Sequence, residues 1–466
     1  MVFSSNVFLL LFLPAVLAVY YLCPRRARNA VLLVASLLFY GWGEPRYIAI
    51  MLFSTVFDYC NGLGIGACRR KGREKGAKAF LIVSVVGNLA ILAFFKYTDF
   101  ALENINRLTG AGLPLLQLAL PIGISFYTFQ TMSYTIDVYR GLVQPQRNIL
   151  NFGTYVTLFP QLIAGPIVQY KTIERGLNSR RESLVEAGQG MTRFVVGLAK
   201  KLLIADQMGA LWDTISAMQN PAAATAWLGA IAFTLQIYFD FSGYSDMAIG
   251  LGHMFGFTFL ENFEHPYESQ SVTEFWRRWH ISMGTWFREY VYIPLGGNRC
   301  AAWRQILNLL IVWALTGLWH GAGWNFVLWG LYYGAILILE KLVLKKFLQK
   351  LPRAVRHIYT LILVVLGWVL FAVTDFGLLG TYLAHMFSGA FADGMTGYLL
   401  LSNGVLLVLA VIGSTTLPKR LWLRMEARAG ERVSTVLRTA GVVLLLCASI
   451  AFLAAHSYSP FLYFRF

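Results

Sequence analysis

The chain has 466 residues, of which 57% are hydrophobic and only 13% are charged, and its formal net charge is +16. Soluble domains usually carry about 25% charged residues, so the composition excludes an ordinary soluble protein. On a soluble chain the positive charge would indicate nucleic-acid binding. In a membrane protein it is typical of basic cytoplasmic loops, and no nucleic-acid partner is predicted.

Repeated apolar runs predict an all-α polytopic membrane protein, because such runs suit helices that cross about 30 Å of hydrocarbon. Several runs are shorter than about 20 residues and need tilt, aromatic flanks or a re-entrant course, so we expect about ten to twelve membrane-embedded helices. The clearest runs are Val7–Tyr21, Val31–Tyr40, Tyr47–Ile65, Phe80–Phe95, Leu361–Val373, Leu399–Ile412 and Val442–Ala454.

The composition changes twice along the chain without a linker or a repeat of fixed period. Residues 1–110 are simple spans, residues 111–345 are rich in Gly, Pro, aromatic and polar residues, and residues 346–466 return to simple spans. We therefore predict one membrane-embedded domain over residues 1–466, with its chemistry in the middle zone.

The distribution of basic residues predicts the orientation in the membrane. The first apolar run lacks a basic segment before it, so a retained span is predicted rather than a cleaved signal peptide. Basic residues follow the first and third spans, at Arg25–Arg28 and Arg69–Lys78, and the loops between carry fewer. The positive-inside rule then places the N-terminus outside, Arg69–Lys78 and Lys419–Arg438 inside, and the C-terminus outside.

Several kinds of chemistry lack a sequence signal. None of the five cysteines lies in a CxxC spacing, so neither a zinc site nor a disulfide framework is indicated, and no metal is predicted. The P-loop, the GxGxxG, the HExxH and the GxSxG motifs are also absent from the sequence. Nucleotide hydrolysis, dinucleotide redox chemistry and serine hydrolysis therefore have no support.

A polar, aromatic segment of the middle zone contains His280. Ser271 and Glu274 have the spacing of a capping box, so they predict the start of a helix that stops at Pro294. The segment is too polar to span, and its aromatic and basic residues are typical of a helix at the interface or one dipping into a cavity. A continuous helix would place on one face Trp276, His280, Gly284 and Phe287. A packed, structural histidine fits this pattern as well as a functional one.

His320 lies near the middle of the apolar run from Ile306 to Leu339. An ionisable residue at that depth costs several kcal/mol and usually faces a cavity or a partner, so a functional role is favoured. Neighbouring glycines would leave the backbone bare for a ligand, although close helix packing explains them equally well. These glycines are Gly317, Gly321 and Gly323.

Other interruptions of the apolar runs have competing interpretations. The stretches Leu120–Tyr127 and Leu158–Pro166 predict either a lined cavity or ordinary kinks. Asp240 and Asp246 could relay protons or carry an ion, but their spacing does not suit one helical face, and a structural ion pair is favoured for at least one. The remaining histidines considered lie at loops or span ends, where a structural role suffices: His265, His357, His385 and His456.

The segment FWRRWHIS at Phe275–Ser282, together with Trp319-His320-Gly321, strongly resembles the membrane-bound O-acyltransferases. Within that family the chain is similar to the polysaccharide branch, which includes the alginate O-acetylation membrane subunit. The resemblance covers nearly the whole chain. Its further segments are Met1–Phe8, Leu120–Tyr127, Leu162–Pro166, Tyr238–Gly252, Pro294–Arg299 and Pro460–Phe464.

The resemblance implies a ring of helices around a thin centre pierced by a tunnel, with the acyl donor entering from the cytoplasm and the acceptor from outside. It also implies two catalytic histidines, which fall on His280 and His320. We expect His320 to act as the base, and His280 to orient the thioester or to donate to its oxygen. The residues of the motifs predicted to bind substrate are Trp276, Trp319, Asp240, Asn298 and Arg299.

For function, the resemblance implies O-acetylation of an exported polysaccharide such as alginate, at the bacterial inner membrane, with an extracytoplasmic acetyltransferase partner. Acetyl-CoA is the expected donor, and an acyl carrier protein thioester is the alternative. Basic residues that could hold an anionic donor, or that reflect only the positive-inside bias, are Lys171, Arg175, Arg180, Arg181 and Arg299. The other functions considered are D-alanyl-type transfer to a cell-wall polymer, a transporter or flippase, and a non-catalytic scaffold.

Overall fold

The computed structural model describes residues 1–455 and 461–462, and helices are the only regular elements in this part of the chain. Contacts divide the chain into two compact units, one of residues 1–194 with 247–260, and one of residues 195–246 with 261–466. The predicted organisation as one domain with three zones stays a prediction. His456 and most of the predicted C-terminal motif lie outside the described residues.

The first helices follow the predicted spans closely. A π-helical turn, Phe8–Phe12, leads into the first of them. The helices are α1 (Leu13–Leu22), α2 (Arg28–Gly43), α3 (Ile48–Arg70), α4 (Glu74–Thr109), α5 (Ile124–Arg140), α6 (Ile149–Thr157), α7 (Phe159–Leu162), α8 (Tyr170–Ser179) and α9 (Leu184–Ala199).

The remaining helices include the short, interrupted ones of the middle zone. They are α10 (Asp206–Ser216), α11 (Ala223–Met254), α12 (Val272–Arg278), α13 (Ile281–Phe287), α14 (Ala302–His320), α15 (Trp324–Leu339), α16 (Lys345–Leu348), α17 (Arg353–Ala372), α18 (Phe376–Phe387), α19 (Gly394–Gly413) and α20 (Leu417–Ala455). Further π-helical segments are Lys200–Ala205, Arg288–Tyr292 and Glu340–Leu344.

Six helices of the described chain are long and apolar enough to cross a membrane. They are Pro45–Arg70, Glu74–Thr109, Trp324–Leu348, Arg353–Ala372, Gly394–Gly413 and Leu417–Ala455, and Phe8–Leu22 and Phe376–Phe387 are shorter apolar helices. The number is below the expected total of about ten to twelve, which also included re-entrant helices. Two predicted spans of the first zone fall short because their helices, Phe8–Leu22 and Arg28–Gly43, have fewer than 18 residues. Most helices of the middle zone are also short, although α11 is long.

Both predicted interruptions in the first unit are real. α5 begins only after Gly123, whose φ of 77° is in the left-handed region, and α6 ends at Thr157 before the short α7. A side chain on Gly123 would collide with the carbonyl oxygen of Leu162. The two broken stretches therefore pack backbone against backbone, which glycine allows.

A buried polar cluster joins three helices of the first unit. Asp58 on α3 accepts hydrogen bonds from the Ser84 hydroxyl at 2.7 Å and from the Asn88 amide at 2.6 Å, both on α4. Ser84 also lies 2.8 Å from the hydroxyl of Thr135 on α5. Because water is absent from the hydrocarbon, each buried polar group needs such a partner, and the cluster fixes how α3, α4 and α5 pack.

The second unit has an aromatic core. Trp329, Tyr333 and Trp368 are all fully buried, and the rings of Trp329 and Trp368 are 6.1 Å apart. Large aromatic side chains contribute much apolar contact area per residue, so a short helix such as α12 can be held firmly among them. Both predicted catalytic histidines lie in this unit.

Candidate active site

The helix predicted to run from Ser271 towards Pro294 starts as expected but stops early. The Ser271 hydroxyl accepts the hydrogen bond of the Glu274 N–H at 3.0 Å, as an N-cap does. α12 ends at Arg278. His280 has a φ of 46°, which is a left-handed conformation that residues other than glycine rarely adopt. The prediction of one continuous helix, with Trp276, His280, Gly284 and Phe287 on one face, is therefore wrong.

The break is held by a loop that precedes α12. The Ile281 N–H donates to the Asn262 carbonyl at 3.0 Å, and the Glu264 N–H donates to the Arg278 carbonyl at 3.0 Å. These bonds satisfy backbone groups that a continuous helix would have paired internally. No periodic signal in the sequence predicts this pairing, because a polar loop contact leaves no hydrophobic pattern.

The Asn262 side chain fixes the imidazole of His280. Its Oδ1 atom accepts from the N–H of Ser282 at 3.2 Å and from the Ser282 hydroxyl at 2.9 Å, and it lies 3.1 Å from His280 Nδ1. Its Nδ2 atom donates to the Ser245 hydroxyl at 3.1 Å. Asn262 is the residue of this site that the sequence analysis missed.

His280 itself is fully buried. Its ring meets Phe241 edge-on at 4.7 Å and lies 6.0 Å from the ring of Trp319. Burial lowers the pKa of His280 to about 3, because the protonated form would lose its hydration. The imidazole is therefore neutral at physiological pH.

The long apolar run around His320 is a helical hairpin rather than one helix. α14 ends at His320, and α15 starts four residues later at Trp324. Side chains on Gly317 and Gly330 would collide with the carbonyl oxygens of Phe326 and Trp313 on the facing helix. Close helix packing, which was one of the two interpretations, therefore explains Gly317, whereas Gly321 and Gly323 lie against the side chains of Phe326 and Asn325.

Aromatic rings surround His320, which is 7% exposed. Its imidazole lies 4.9 Å from the ring of Trp329, 5.0 Å from Trp319 and 5.5 Å from Phe371. The Trp319 ring therefore contacts both predicted catalytic histidines, at 5.0 Å from one and 6.0 Å from the other. Two segments about 40 residues apart in sequence meet at one indole ring, as expected for a shared site.

A cavity of about 890 Å³ adjoins this aromatic cluster. Trp276 lines it, and the Trp276 ring is 5.4 Å from Trp329, which in turn contacts His320. Trp279, which precedes His280, and Met283, which lies in the following helix α13, also line the cavity. Its apolar inner wall thus reaches the layer of rings that covers the two histidines.

The lining of the cavity carries more basic than acidic side chains. The carboxylate of Glu340 is already paired, because it accepts from the N–H groups of Val272 and Thr273 at 2.7 and 2.8 Å, at the N-terminus of α12. Glu274 is paired with Arg278 at 2.6 Å. The basic residues lining the cavity are Arg277, Arg288, Lys341, Lys345 and Arg356. A lining that combines basic and aromatic side chains suits a ligand that has an anionic head and a narrow arm.

Only some of the residues predicted to bind substrate lie at the cavity or beside the histidines. Trp276 and Asn298 line the cavity, and the Asn298 side chain accepts from Tyr292 at 2.8 Å and from Lys341 at 3.1 Å. Trp319 lies between the histidines, whereas Arg299 is exposed on a turn. Arg180, predicted for the donor, donates to the Tyr20 hydroxyl at 2.8 Å in the first unit.

The two aspartates of α11 are both in ion pairs. Lys201 lies 2.6 Å from Asp240 and 2.8 Å from Asp206, with its side chain 3% exposed. Lys200 lies 2.6 Å from Asp246. The structural interpretation favoured for at least one aspartate therefore fits both, and substrate binding by Asp240 remains a prediction without a supporting contact.

Comparison with known proteins agrees with this arrangement. The model of the membrane-bound O-acyltransferase family matches residues 143–385, a range that contains both histidines and Asn262. The chain belongs to that family, and it is a multi-pass membrane O-acyltransferase.

Individual relatives are similar over their full length. The probable alginate O-acetylases of Pseudomonas putida and Azotobacter vinelandii are 43% and 41% identical to it, over 100% of both chains in each case. The peptidoglycan O-acetyltransferase of Helicobacter pylori is 31% identical, over 100% of this chain and 98% of the relative. These relatives are bacterial proteins that carry O-acetyl transfer in their names.

Proposed function

We propose that this enzyme takes an acetyl group from a cytoplasmic thioester and passes it towards a hydroxyl of an exported polysaccharide such as alginate, at the inner membrane of a bacterium. Two of the most similar relatives carry the name of an alginate O-acetylase. The observation that supports the chemistry best is the Trp319 ring in contact with both His280 and His320. An extracytoplasmic acetyltransferase partner would complete transfer to the polymer.

The reaction needs a base because a neutral hydroxyl is a poor nucleophile. In our proposal the acceptor oxygen attacks the thioester carbonyl carbon, the carbon–sulfur bond breaks, and the sulfur leaves with the electron pair. His320 takes the hydroxyl proton and returns it to the departing sulfur, which yields a free thiol. The surrounding rings exclude water, which strengthens every polar contact to the developing charge.

The cavity beside α12 is the proposed donor site. Its mouth adjoins the basic segment from Lys341 to Arg356, and basic segments of this kind face the cytoplasm. The cationic side chains suit the phosphates of coenzyme A, or the phosphopantetheine of a carrier protein as the alternative donor. Trp276 lines the same cavity, so an aromatic wall is present for the narrow pantetheine arm that carries the thiol. The ring of helices with a tunnel that the family resemblance implies would join this cavity to the opposite face.

The test uses the purified protein in detergent, where both faces are accessible. With radiolabelled acetyl-CoA and a hydroxylated acceptor, we expect release of free thiol coupled to label on the acceptor. A transporter or a scaffold would produce neither. If acetyl-CoA gives no thiol and a carrier-protein thioester does, then acetyl-CoA is the wrong donor; if neither donor reacts, the proposed function fails.

Two adjacent lysines provide a matched test of the donor site. Lys345 lines the cavity, whereas Lys346 is exposed outside it. An exposed ion pair contributes about 0.5–1 kcal/mol, so Lys345→Glu should raise the donor KM by roughly 2- to 5-fold or more. Lys346→Glu, which makes the same change in net charge, should leave the KM unchanged. Equal KM values for the two variants would contradict donor binding at this cavity.

A further inference from the structure

Asn262 has one orientation that satisfies its neighbours. The Ser282 N–H can only donate, so the side-chain atom of Asn262 that it meets must be the carbonyl oxygen and not the amide nitrogen. The Ser282 hydroxyl points to the same oxygen at 2.9 Å. The Nδ2 group is then directed to the hydroxyl of Ser245.

This orientation determines the tautomer of His280. Its Nδ1 atom lies 3.1 Å from the same Asn262 oxygen, so Nδ1 must carry a proton; otherwise two lone pairs would face each other in a buried site. Only one nitrogen of a neutral imidazole carries a proton. His280 Nε2 therefore has a lone pair, and it has no hydrogen-bond partner among the described residues.

We infer that Asn262 is a positioning residue that holds His280 Nε2 as a buried hydrogen-bond acceptor, and that the group it receives is a hydroxyl of the acyl acceptor. This inference rests on the proposed function. A neutral His280 in this tautomer cannot donate to the thioester oxygen, which was one of its expected roles. A carbonyl or a thioester sulfur offers Nε2 no proton, whereas an alcohol does. Because an O–H carries one proton, the hydroxyl that donates to His280 is a second hydroxyl of the acceptor, and it holds the acceptor beside the hydroxyl that His320 deprotonates.

The left-handed backbone at His280 supports the same assignment. A φ of 46° is a strained backbone conformation for a residue with a side chain. The two bonds between the 261–264 loop and the flanking residues hold this conformation. On a continuous helix Nδ1 would not meet Asn262, so the strain is what brings the imidazole to the amide.

Nitrogen-15 NMR tests the tautomer without any need for turnover. Protein labelled with ¹⁵N-histidine, with the His280 signals assigned by their loss in His280→Gln, should show a protonated Nδ1 and an unprotonated Nε2 at neutral pH. A protonated Nε2 would overturn the assignment, whatever the substrate of the enzyme proves to be. In Asn262→Ala, both tautomers should become populated.

The pH profile tests the positioning role in the active enzyme. In Asn262→Asp a carboxylate faces Nδ1–H and favours the imidazolium, so the pKa of His280 rises. Below that pKa Nε2 carries a proton and cannot accept, so activity should be lost as pH falls, at a higher pH than in the wild type. Asn262→Ala should lower kcat roughly 10- to 100-fold, as for outer-shell partners of metal-bound histidines, with the donor KM retained.

Ser245→Ala is the matched control, since it removes the partner of Asn262 Nδ2 and leaves the Oδ1 contacts in place. It should keep the wild-type pH profile and a protonated Nδ1. If Asn262→Asp has the wild-type profile at full activity, Asn262 does not position His280 and the inference fails. A wild-type enzyme that transfers no acetyl group would instead contradict the proposed function, while the NMR result would still decide the tautomer.

Discussion

The segments around His280 and His320 hold their imidazole rings through different kinds of contact. His280 sits at a break in the helix, in a left-handed conformation, and is oriented by the Asn262 amide 3.1 Å away. His320 ends a regular helix, and the rings of Trp329 and Phe371 pack around it while the helix behind it approaches α15 closely. Among the described contacts, His280 is thus held by hydrogen bonds at a strained backbone, and His320 by aromatic rings. Substitutions should therefore perturb the two segments in different ways.

The largest effect is expected at His320. His320→Ala removes the proposed base, and general-base catalysis is commonly worth about 10² to 10⁴ in rate. His320→Gln keeps a hydrogen-bonding group but cannot take a proton, so it should lose acetyl transfer to a similar extent. The measurement is polymer acetylation in cells, together with thiol release by the purified protein.

The control for His320 is His385→Gln on α18, which makes the same chemical change away from the aromatic cluster and should keep full activity. All three variants should insert normally and elute as single species in detergent. Near-normal acetylation by His320→Gln at matched membrane levels would mean that His320 packs or hydrogen-bonds without acting as a base.

Glycine-to-alanine substitutions should change the free energy of unfolding differently in the two segments. In Gly330→Ala the new methyl collides with the Trp313 carbonyl across the hairpin, and overpacking of this kind costs about 1–3 kcal/mol. In Gly284→Ala on α13 the methyl meets nothing within 4 Å. Alanine is the better helix former there, so the stability should be kept or rise by up to about 1 kcal/mol.

Thermal unfolding followed by size-exclusion chromatography would measure both changes. We expect a lower apparent Tm for Gly330→Ala and an equal or higher one for Gly284→Ala. Because membrane proteins often unfold irreversibly, both must be heated at one scan rate against the wild type. A tolerated Gly330→Ala would indicate that the hairpin can open, and His320 would then not be held by packing.

The sequence was sufficient for the features that depend on composition and local capping. The apolar runs predicted the spans, and the Ser271 cap predicted where α12 begins, because both signals lie within a few neighbouring residues. It was insufficient for the end of that helix. The break at His280 depends on hydrogen bonds to a loop 14 to 20 residues earlier in the chain, and such tertiary contacts override helical periodicity.

The same limit applies to the donor site. The basic residues expected to hold the donor all lie in the middle zone, and one of them, Arg180, is hydrogen-bonded to Tyr20 instead. The cavity instead gathers basic residues from α12, from the segment after α13 and from the segment around α16. Charge counting identified the basic loops but could not tell which of them converge, because convergence depends on the packing of α12 against α15 and α17.

The smallest effect should come from exchanging the same two residues at the two histidine positions. Asparagine tolerates the left-handed conformation and valine does not, so His280→Asn should be more stable than His280→Val by about 1 kcal/mol. At His320 the backbone is helical, where asparagine and valine have similar propensities, so the preference for asparagine should be absent. None of the four variants should transfer acetyl groups, so the comparison is one of apparent Tm alone.

If valine is preferred at both positions, then His280 is held by apolar packing like His320, and the contrast between the two segments disappears. A preference for asparagine at both would indicate that His320 also has a hydrogen-bonding environment that an amide can satisfy.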